Sequence, residues 1–365
     1  MPVRRQPATA RDCSRRADAK TWPQRHRMAR RPGAVAWRAT LALGRSLGRS
    51  LGLSLGLALA CPVVVQAGWP EHTVKLIVTF PPGSANDAAA RIFADGLSRT
   101  WGKPVIVEDR PGAEGTIGAG AFVASQDDHA LLYTVAGSVT VAPLLIDHLA
   151  YHPERDLVPV AATTAIVLTL AVSNDFHVDS IPNLIEAVKS NPGKYAWASG
   201  PSLPRYVFAA FLKRNGLQMN YVGYRDASLP QADLGEGRIQ VLLTSLTASS
   251  SPVQTGKAHF LAVINPSRAA ALPDLQTARE LGHPDLEIDG LAGIFASPGM
   301  SAELRNRIAA DVAAICREPE ARRKLEAAGH NVLGGTADEL QAGIARQKAW
   351  LSEIIGVIDL RNAAQ

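Results

Sequence analysis

Cysteine is scarce in this sequence: its 365 residues include three, Cys13, Cys61 and Cys316. The first two precede residue 68, so one thiol remains in the rest of the chain. A single cysteine forms no internal disulfide and cannot build a zinc cluster. The 298 residues from Gly68 onward are enough to hold a core by burial alone, and we expect them to form two lobes.

Catalytic signatures are also missing. From Gly68 onward the chain has no G-x-S-x-G segment, it has no H-E-x-x-H segment anywhere, and its nine histidines are scattered singly. The G-x-S-x-G matches at residues 44–56 belong to a low-complexity Leu-Gly-Arg-Ser repeat. The glycine-rich stretch at residues 112–120 lacks the G-x-G-x-x-G spacing of a dinucleotide loop, so we interpret it as a close-packed helix start. We therefore predict no catalytic residue, no metal site and no cofactor. A secreted hydrolase is the less favoured alternative.

No apolar run is long enough to suggest a membrane span, because residues 51–59 fall well short of the roughly 20 residues that a bilayer requires. This run follows an Arg-rich stretch and precedes Val65 and Ala67, which fit the small-residue positions of a signal-peptide cleavage site. We expect residues 1–67 to be a cleaved leader that directs the chain to the periplasm. Met28 is an alternative start, and lipidation at Cys61 is the alternative to cleavage after Ala67.

The positive net charge of the chain belongs to this leader. Residues 1–67 hold 13 basic and 2 acidic residues, which leaves 25 basic and 31 acidic residues and a formal charge of −6. The whole chain carries +5. A nucleic-acid partner inferred from overall basicity is therefore excluded.

Strand-like and helix-like segments alternate after the leader. β-Branched runs predict strands at residues 73–80, 105–108, 130–135, 195–198, 239–243 and 260–264. Helical apolar spacing predicts helices at residues 87–101, 116–125, 181–190, 203–215, 228–236, 301–317, 320–328 and 337–355, so that the C-terminal region is helical throughout. This alternation predicts parallel sheets covered on both faces.

Two apolar stretches, residues 165–172 and 290–296, are candidates for crossings between the lobes. The alternative is that both are ordinary core strands of a single sheet. Their periodicity does not separate the two interpretations.

Five segments, in order, resemble motifs of the tripartite tricarboxylate transporter receptors, the Bug family of solute-binding proteins. Residues 80–87 (FPPGSAND) resemble the family's FPPGGxxD, and residues 107–115 (VEDRPGAEG) resemble its VENRPGAGG. The others are NPGK at 191–194, ALPDLQT at 271–277 and GIFASPG at 293–299, which are similar to NPGK, ALPDVPT and GLFAPAG. The resemblance extends from about residue 69 to residue 355.

This resemblance implies an α/β fold of the type II periplasmic-binding class, in which two lobes are joined by two crossings and hold a small solute in the cleft between them. Lobe 1 would comprise residues 68–168 plus 290–365, and lobe 2 residues 169–289. The implied function is a monomeric receptor, not an enzyme, that delivers a small carboxylate or dicarboxylate to membrane transporter subunits. A receptor for the ectodomain of a sensor kinase is the alternative.

The first candidate binding loop follows the strand that ends near Phe80. A Pro-Pro-Gly turn leads into a helix near Asn86 and Asp87, and helix N-termini hold carboxylates through unpaired amides. We expect Gly83, Ser84 and Asn86 to face the ligand, and we include Phe80 among the candidate ligand contacts. Asp87 is either a further contact or only a cap or first-turn acid.

The next candidate loop, at residues 136–140, follows the strand predicted at residues 130–135. Its amides and hydroxyls, including those of Gly137 and Ser138, either face the cleft or form a plain turn. Both interpretations stay open at this stage.

The loop at residues 198–206 contributes Ser199, Gly200, Ser202 and Arg205. Pro201 and Pro204 remove backbone donors, whereas Arg205 either clamps a carboxylate bidentately or is solvated. The family often has His at the position of Tyr206.

Thr244 and Ser245 occupy the place of an Asp-Asn pair in many family members. Loss of that acid argues against a ligand that carries an amine. Tyr224 aligns with the Tyr of the family's PYKG and is expected to wall the cleft.

Overall fold

The computed structural model describes residues 68–200, 202–224 and 229–359. The predicted leader at residues 1–67 and Pro201 lie outside these ranges, so cleavage after Ala67 and lipidation at Cys61 stay predictions. Within the described ranges, no helix combines the length and the apolarity that a membrane crossing requires.

Strands and helices alternate over most of the described chain. The strands are β1 Val74–Val78, β2 Val105–Asp109, β3 Ala130–Val135, β4 Val158–Ile166, β5 Leu168–Ser173, β6 Ala196–Ser199, β7 Asn220–Tyr221, β8 Val241–Ser245, β9 Ala258–Val263, β10 Leu291–Ala296 and β11 His330–Gly335. The helices are α1 Ala85–Trp101, α2 Thr116–Ser125, α3 Gly137–Thr140, α4 Ala142–Leu145, α5 Pro153–Asp156, α6 Ile181–Ser190, α7 Leu203–Arg214, α8 Leu229–Gly235, α9 Leu246–Gln254, α10 Ala302–Arg317, α11 Pro319–Ala327 and α12 Ala337–Ile355. The predicted α2, α6, α12 and β3 are confirmed at both ends.

The strands form two sheets. The first sheet has the order β11-β4-β10-β3-β1-β2, and the second has the order β7-β6-β8-β5-β9. Apolar clusters cover both faces of each sheet, as predicted. The prediction of parallel sheets was wrong in part, because β10 pairs antiparallel with β3 and β4, and β5 pairs antiparallel with β8 and β9. Alternation along the chain did not reveal that strands return to a sheet in the opposite direction.

The prediction that the C-terminal region is helical throughout was wrong, because it contains strand β11. Helix α11 ends before Gly329, whose φ of +85° is a left-handed conformation that favours glycine. Strand β11 follows and pairs antiparallel with β4 at the edge of the first sheet. An edge strand is partly exposed and lacks a continuous apolar run, which is why its sequence did not indicate a strand.

The first predicted crossing is confirmed where β4 ends at Ile166 and β5 begins at Leu168, because these strands belong to different sheets. Asn265, from the return connection, fixes this point with both ends of its amide: its Oδ1 accepts from the Leu168 amide at 2.7 Å, and its Nδ2 donates to the Ile166 carbonyl at 2.9 Å. A Cβ on Gly290 would lie 2.3 Å from that same carbonyl oxygen, so glycine is required there. Residues 291–296 are a core strand of the first sheet, and the return crossing precedes them.

Candidate functional site

The ends of parallel strands bring the predicted loops together. Strands β1, β2 and β3 are parallel, so the loops that follow them leave from one edge of the first sheet. Strands β6 and β8 are likewise parallel, and Ser199 and Ser245 end them at one edge of the second sheet. Ligands of open α/β sheets bind outside such carboxyl ends.

The two edges meet at Gly137 and Ser202. A Cβ on Gly137 would lie 2.9 Å from Ser202 Oγ, so α3 of the first sheet faces the loop that precedes α7 of the second. At the edge of the second sheet, a Cβ on Gly200, which follows β6, would lie 3.0 Å from Oγ1 of Thr244 in β8. The structure thus brings Gly137, Ser202, Gly200 and Thr244 into one region.

The start of α1 is built around an internal carboxylate. Asp87 Oδ2 accepts from the Gly83 amide at 2.7 Å, and its Oδ1 pairs with Arg91 Nε at 2.8 Å. Ser84 is the N-cap: its Oγ accepts from the Asp87 amide at 3.2 Å, and its own amide donates to the Pro81 carbonyl at 3.2 Å. Asp87 is therefore a first-turn acid that organises the loop.

The next amides along α1 have a different status. Among the described residues, no hydrogen bond engages the amides of Ala85 and Asn86, whereas the Gly83 and Ser84 amides are used within the loop. Asn86 is 3 % exposed, and its buried Oδ1 has no hydrogen-bond partner among the described residues. Phe80 packs against the core beside this loop. Ligand contact by Phe80, Gly83, Ser84, Asn86 and Asp87 stays a prediction.

A buried hydroxyl chain underlies the first edge. Thr79 Oγ1 lies 2.7 Å from Thr134 Oγ1, which donates to Ser138 Oγ at 2.9 Å. A Cβ on Gly115 would lie 2.4 Å from the same Ser138 Oγ. The stretch at residues 112–120 is thus a close-packed helix start, as interpreted from its spacing. Residues 137–140 form a helical turn in which the Ser138 side chain is directed into this chain of hydroxyls.

Arg205 lies in the first turn of α7 and is half-buried. Its guanidinium carbon lies 4.9 Å from the centroid of the Tyr221 ring, a cation–π distance. The ring covers one face of the guanidinium, and solvation of the rest of the side chain stays the alternative. Clamping of a ligand carboxylate by Arg205 stays a prediction.

The remaining predicted residues have structural partners. Ser245 is the N-cap of α9, where its Oγ accepts from the Ala248 amide at 3.4 Å. Tyr224 donates to Asp233 Oδ2 at 2.6 Å, and burial together with this carboxylate raises the pKa of its phenol. It packs on the face of the second sheet that Leu234 and Leu242 also cover.

Several buried polar atoms at this junction lack a hydrogen-bond partner among the described residues. They are Ser199 Oγ, Ser202 Oγ, Tyr206 Oη and Glu114 Oε2. Buried polar groups are usually paired, so such a cluster is unusual. Sequence analysis missed Glu114, although it stands where the family motif has glycine, and the substitution was the available signal.

One group of metal-ligating side chains occurs in the described ranges, at His72, Asp128 and His129. Both ring nitrogens of His129 are engaged: Nε2 accepts from the Glu71 amide at 3.0 Å, and Nδ1 lies 2.7 Å from Asp128 Oδ1. A metal would have to displace a backbone hydrogen bond there, so the group does not form a ready site. It also lies at the start of β1, away from the strand ends described above.

Comparisons with known proteins identify the family and the fold. A protein-family model described as the tripartite tricarboxylate transporter family receptor matches residues 89–360. A Pseudomonas protein named "UPF0065 protein in tcbD-tcbE intergenic region" is 30 % identical over 276 residues, which cover 74 % of this chain and 82 % of that protein.

Solved structures share the fold. The periplasmic binding protein BugD is 26 % identical with a TM-score of 0.68, over 79 % of this chain and 99 % of that one. The R. palustris protein Rpa4515, solved with adipate, has a TM-score of 0.72 at 24 % identity, over 80 % of this chain and 98 % of that one. The family and these structural neighbours are substrate-binding receptors and not enzymes. With three quarters of its length matched by the family model, this chain belongs to the tripartite tricarboxylate transporter receptors, the family that includes the Bug proteins.

Proposed function

We propose that this chain is a periplasmic receptor that captures a small carboxylate between its two sheets for a tripartite tricarboxylate-type transporter. The observation that carries the proposal is the meeting of two strand-end edges at Gly137 and Ser202, where several buried polar atoms have no hydrogen-bond partner within the described part of the chain. A ligand that contacts both edges stabilises their closed arrangement, because only a difference in affinity between open and closed states shifts the equilibrium.

The donors at this junction suit a carboxylate. Helix α1 is 17 residues long, and its positive end presents the amides of Ala85 and Asn86, which no other described residue engages in a hydrogen bond. Arg205 adds a guanidinium at the first turn of α7. We assign ligand contacts to Asn86, Gly137, Ser199, Gly200, Ser202, Arg205 and Thr244. We assign the supporting frame of the site to Phe80, Gly83, Ser84, Asp87, Ser138, Tyr224 and Ser245.

Export and lobe organisation are part of the same proposal. We assign residues 1–67 as the leader removed after Ala67, residues 68–168 plus 290–365 as lobe 1, and residues 169–289 as lobe 2. The sheet change between β4 and β5 and the clamp by Asn265 support a hinge at these boundaries.

The test uses purified residues 68–365 and a thermal-shift screen of small mono- and dicarboxylates, with their methyl esters as uncharged controls. A bound carboxylate raises the melting temperature according to its concentration relative to Kd, and its ester does not. Arg205→Ala should weaken binding by about 5- to 100-fold through loss of a charge-assisted hydrogen bond. Arg155→Ala, at a side chain that is 75 % exposed, is the matched control and should bind like the parent.

Small-angle scattering should report a smaller radius of gyration when the parent is saturated with a carboxylate from the screen. The transporter assignment is checked by uptake of that carboxylate into cells that lack the receptor, with the parent or Arg205→Ala restored. If no carboxylate stabilises the parent, or if esters do so equally, the ligand class is wrong.

A further inference from the structure

Glu114 has a backbone conformation that favours glycine. Its φ is +57°, and it lies in a run of four residues with positive φ from Gly112 to Gly115. A side chain in that conformation is less favourable than glycine, because its Cβ approaches the following carbonyl oxygen. The family motif VENRPGAGG has glycine at this position, so here the loop carries a carboxyl group at a conformational cost.

The Glu114 carboxyl group lies at the junction of the two edges. The next residue, Gly115, packs against Ser138 beside Gly137, which faces Ser202. The Ser202 amide and the Arg205 guanidinium act on the carboxyl group from the start of α7. Burial raises the pKa of Glu114, while Arg205 and Ser202 oppose that rise. The carboxylate therefore occupies the positive end of a 12-residue helix on the opposite edge of the cleft.

Two buried oxygen atoms at this place, one of Glu114 and one of Tyr206, have no hydrogen-bond partner among the described residues. Glu114 Oε2 has no hydrogen-bond partner among the described residues, and the same holds for the hydroxyl of Tyr206, a residue that is 0 % exposed. Burial and then the neighbouring Glu114 raise the pKa of Tyr206 to about 12, so its hydroxyl stays protonated. The junction thus offers an acceptor on Glu114 and a donor on Tyr206, both buried without a partner.

Resting on the receptor function proposed above, we propose that Glu114 takes the place of a ligand's second carboxylate at the start of α7. The cleft then selects a monocarboxylate whose other end carries a hydrogen-bond donor, such as a hydroxyl or an ammonium group. A donor pairs with Oε2 of Glu114, whereas a second carboxylate brings a like charge into a desolvated site. This replaces the expectation, drawn from Thr244 and Ser245, that an amine finds no acid in the cleft.

The test is isothermal titration of residues 68–365 with matched four- and six-carbon series, each comprising a dicarboxylate, an ω-hydroxy acid and an ω-amino acid. The parent should bind the ω-substituted monocarboxylates more tightly than the dicarboxylate of equal length. Glu114→Gln and Glu114→Gly should each shift that preference toward the dicarboxylate by about tenfold or more, since a like-charge contact is removed. Glu108→Gln, in the preceding strand and paired with Arg110, is the control and should keep the parental preference.

An unchanged preference in both Glu114 variants, or a parent that prefers the dicarboxylate, overturns the inference while the receptor function stands. If neither the parent nor any variant binds a member of either series, the carboxylate receptor itself fails and the inference fails with it. Two variants are used because Glu114→Gln keeps the side-chain size and Glu114→Gly keeps the backbone conformation.

Discussion

Two helices start at the junction of the sheets, and each has a carboxylate at its N-terminus. At α1 the carboxylate is local: Asp87 accepts from Gly83, four residues before it, and pairs with Arg91, four residues after it. At α7 it comes from Glu114, on a loop of the other sheet, and one of its oxygens has no hydrogen-bond partner among the described residues.

The Asp87 carboxylate stabilises the loop in which it lies, whereas the Glu114 carboxylate changes the chemistry of the candidate site. The Asp87 carboxylate is 5 % exposed and held by partners within one turn, so it belongs to the folding of the loop. Glu114 is placed by the packing of two sheets and retains an unused acceptor. Asp87 should therefore govern stability, and Glu114 should govern selectivity.

The largest effect on stability is expected from Asp87→Ala, which removes the carboxylate at the start of α1. The Gly83 amide and Arg91 lose their shared acceptor, so the free energy of unfolding should fall by about 3–4 kcal/mol. Urea denaturation at neutral pH measures it. Asp95→Ala, at an exposed position of the same helix, is the control, and an equal loss in both variants would contradict the structural role of Asp87.

A slightly smaller effect concerns the support of α1 by a buried histidine. His330 lies 2.9 Å from the Ala85 carbonyl through Nε2 and 3.0 Å from Thr164 Oγ1 through Nδ1, and burial lowers its pKa to about 4. Its ordinary pKa is higher, so the unfolded chain takes up this proton first as the pH falls. The resulting stability is present above the ordinary pKa and is lost as the pH falls toward the folded value.

For His330 this pH-dependent loss amounts to about 3 kcal/mol. His330→Gln should flatten the dependence of unfolding free energy on pH between pH 6.5 and 4, whereas His152→Gln, at an exposed position, should retain it. Urea titrations at several pH values across this window compare the three proteins. Parallel curves for the parent and His330→Gln would argue against a buried neutral imidazole.

The smallest effect is expected at Glu114, where stability should rise. Glu114→Gly relieves the left-handed conformation and should increase the free energy of unfolding by about 1 kcal/mol. Burial raises the pKa of Glu114, so its ionised form destabilises the folded protein. Glu114→Gln removes that charge and should stabilise the protein above the raised pKa. Its advantage should vanish below the ordinary Glu pKa, where the carboxyl is neutral in folded and unfolded chains alike. A loss of stability in both variants at neutral pH would contradict the comparison.

Much of the local architecture was predictable. The close-packed start of α2 and the ends of α6 and α12 follow from glycine spacing and helical periodicity, which act over a few residues. Helix α1 begins two residues before the predicted Asp87, because Ser84 is its N-cap. The edge strand β11 and the antiparallel return of β10 were not, because strand pairing depends on partners more than a hundred residues away. The hydroxyl of Tyr224 binds Asp233, a pairing that the motif does not encode, and its role as a wall of the cleft stays a prediction.

The family and the loops at the strand ends could be predicted from the order of short sequence motifs. Each motif determines a turn or a helix start through the chemistry of a few neighbouring residues. The junction at Gly137 and Ser202, the Asn265 clamp and the position of Glu114 at α7 arise only when the two sheets pack. These contacts join residues on separate elements, and their energies depend on burial and on distances that no local pattern specifies. The charge of Glu114 is written in the sequence, but its neighbours come from the fold.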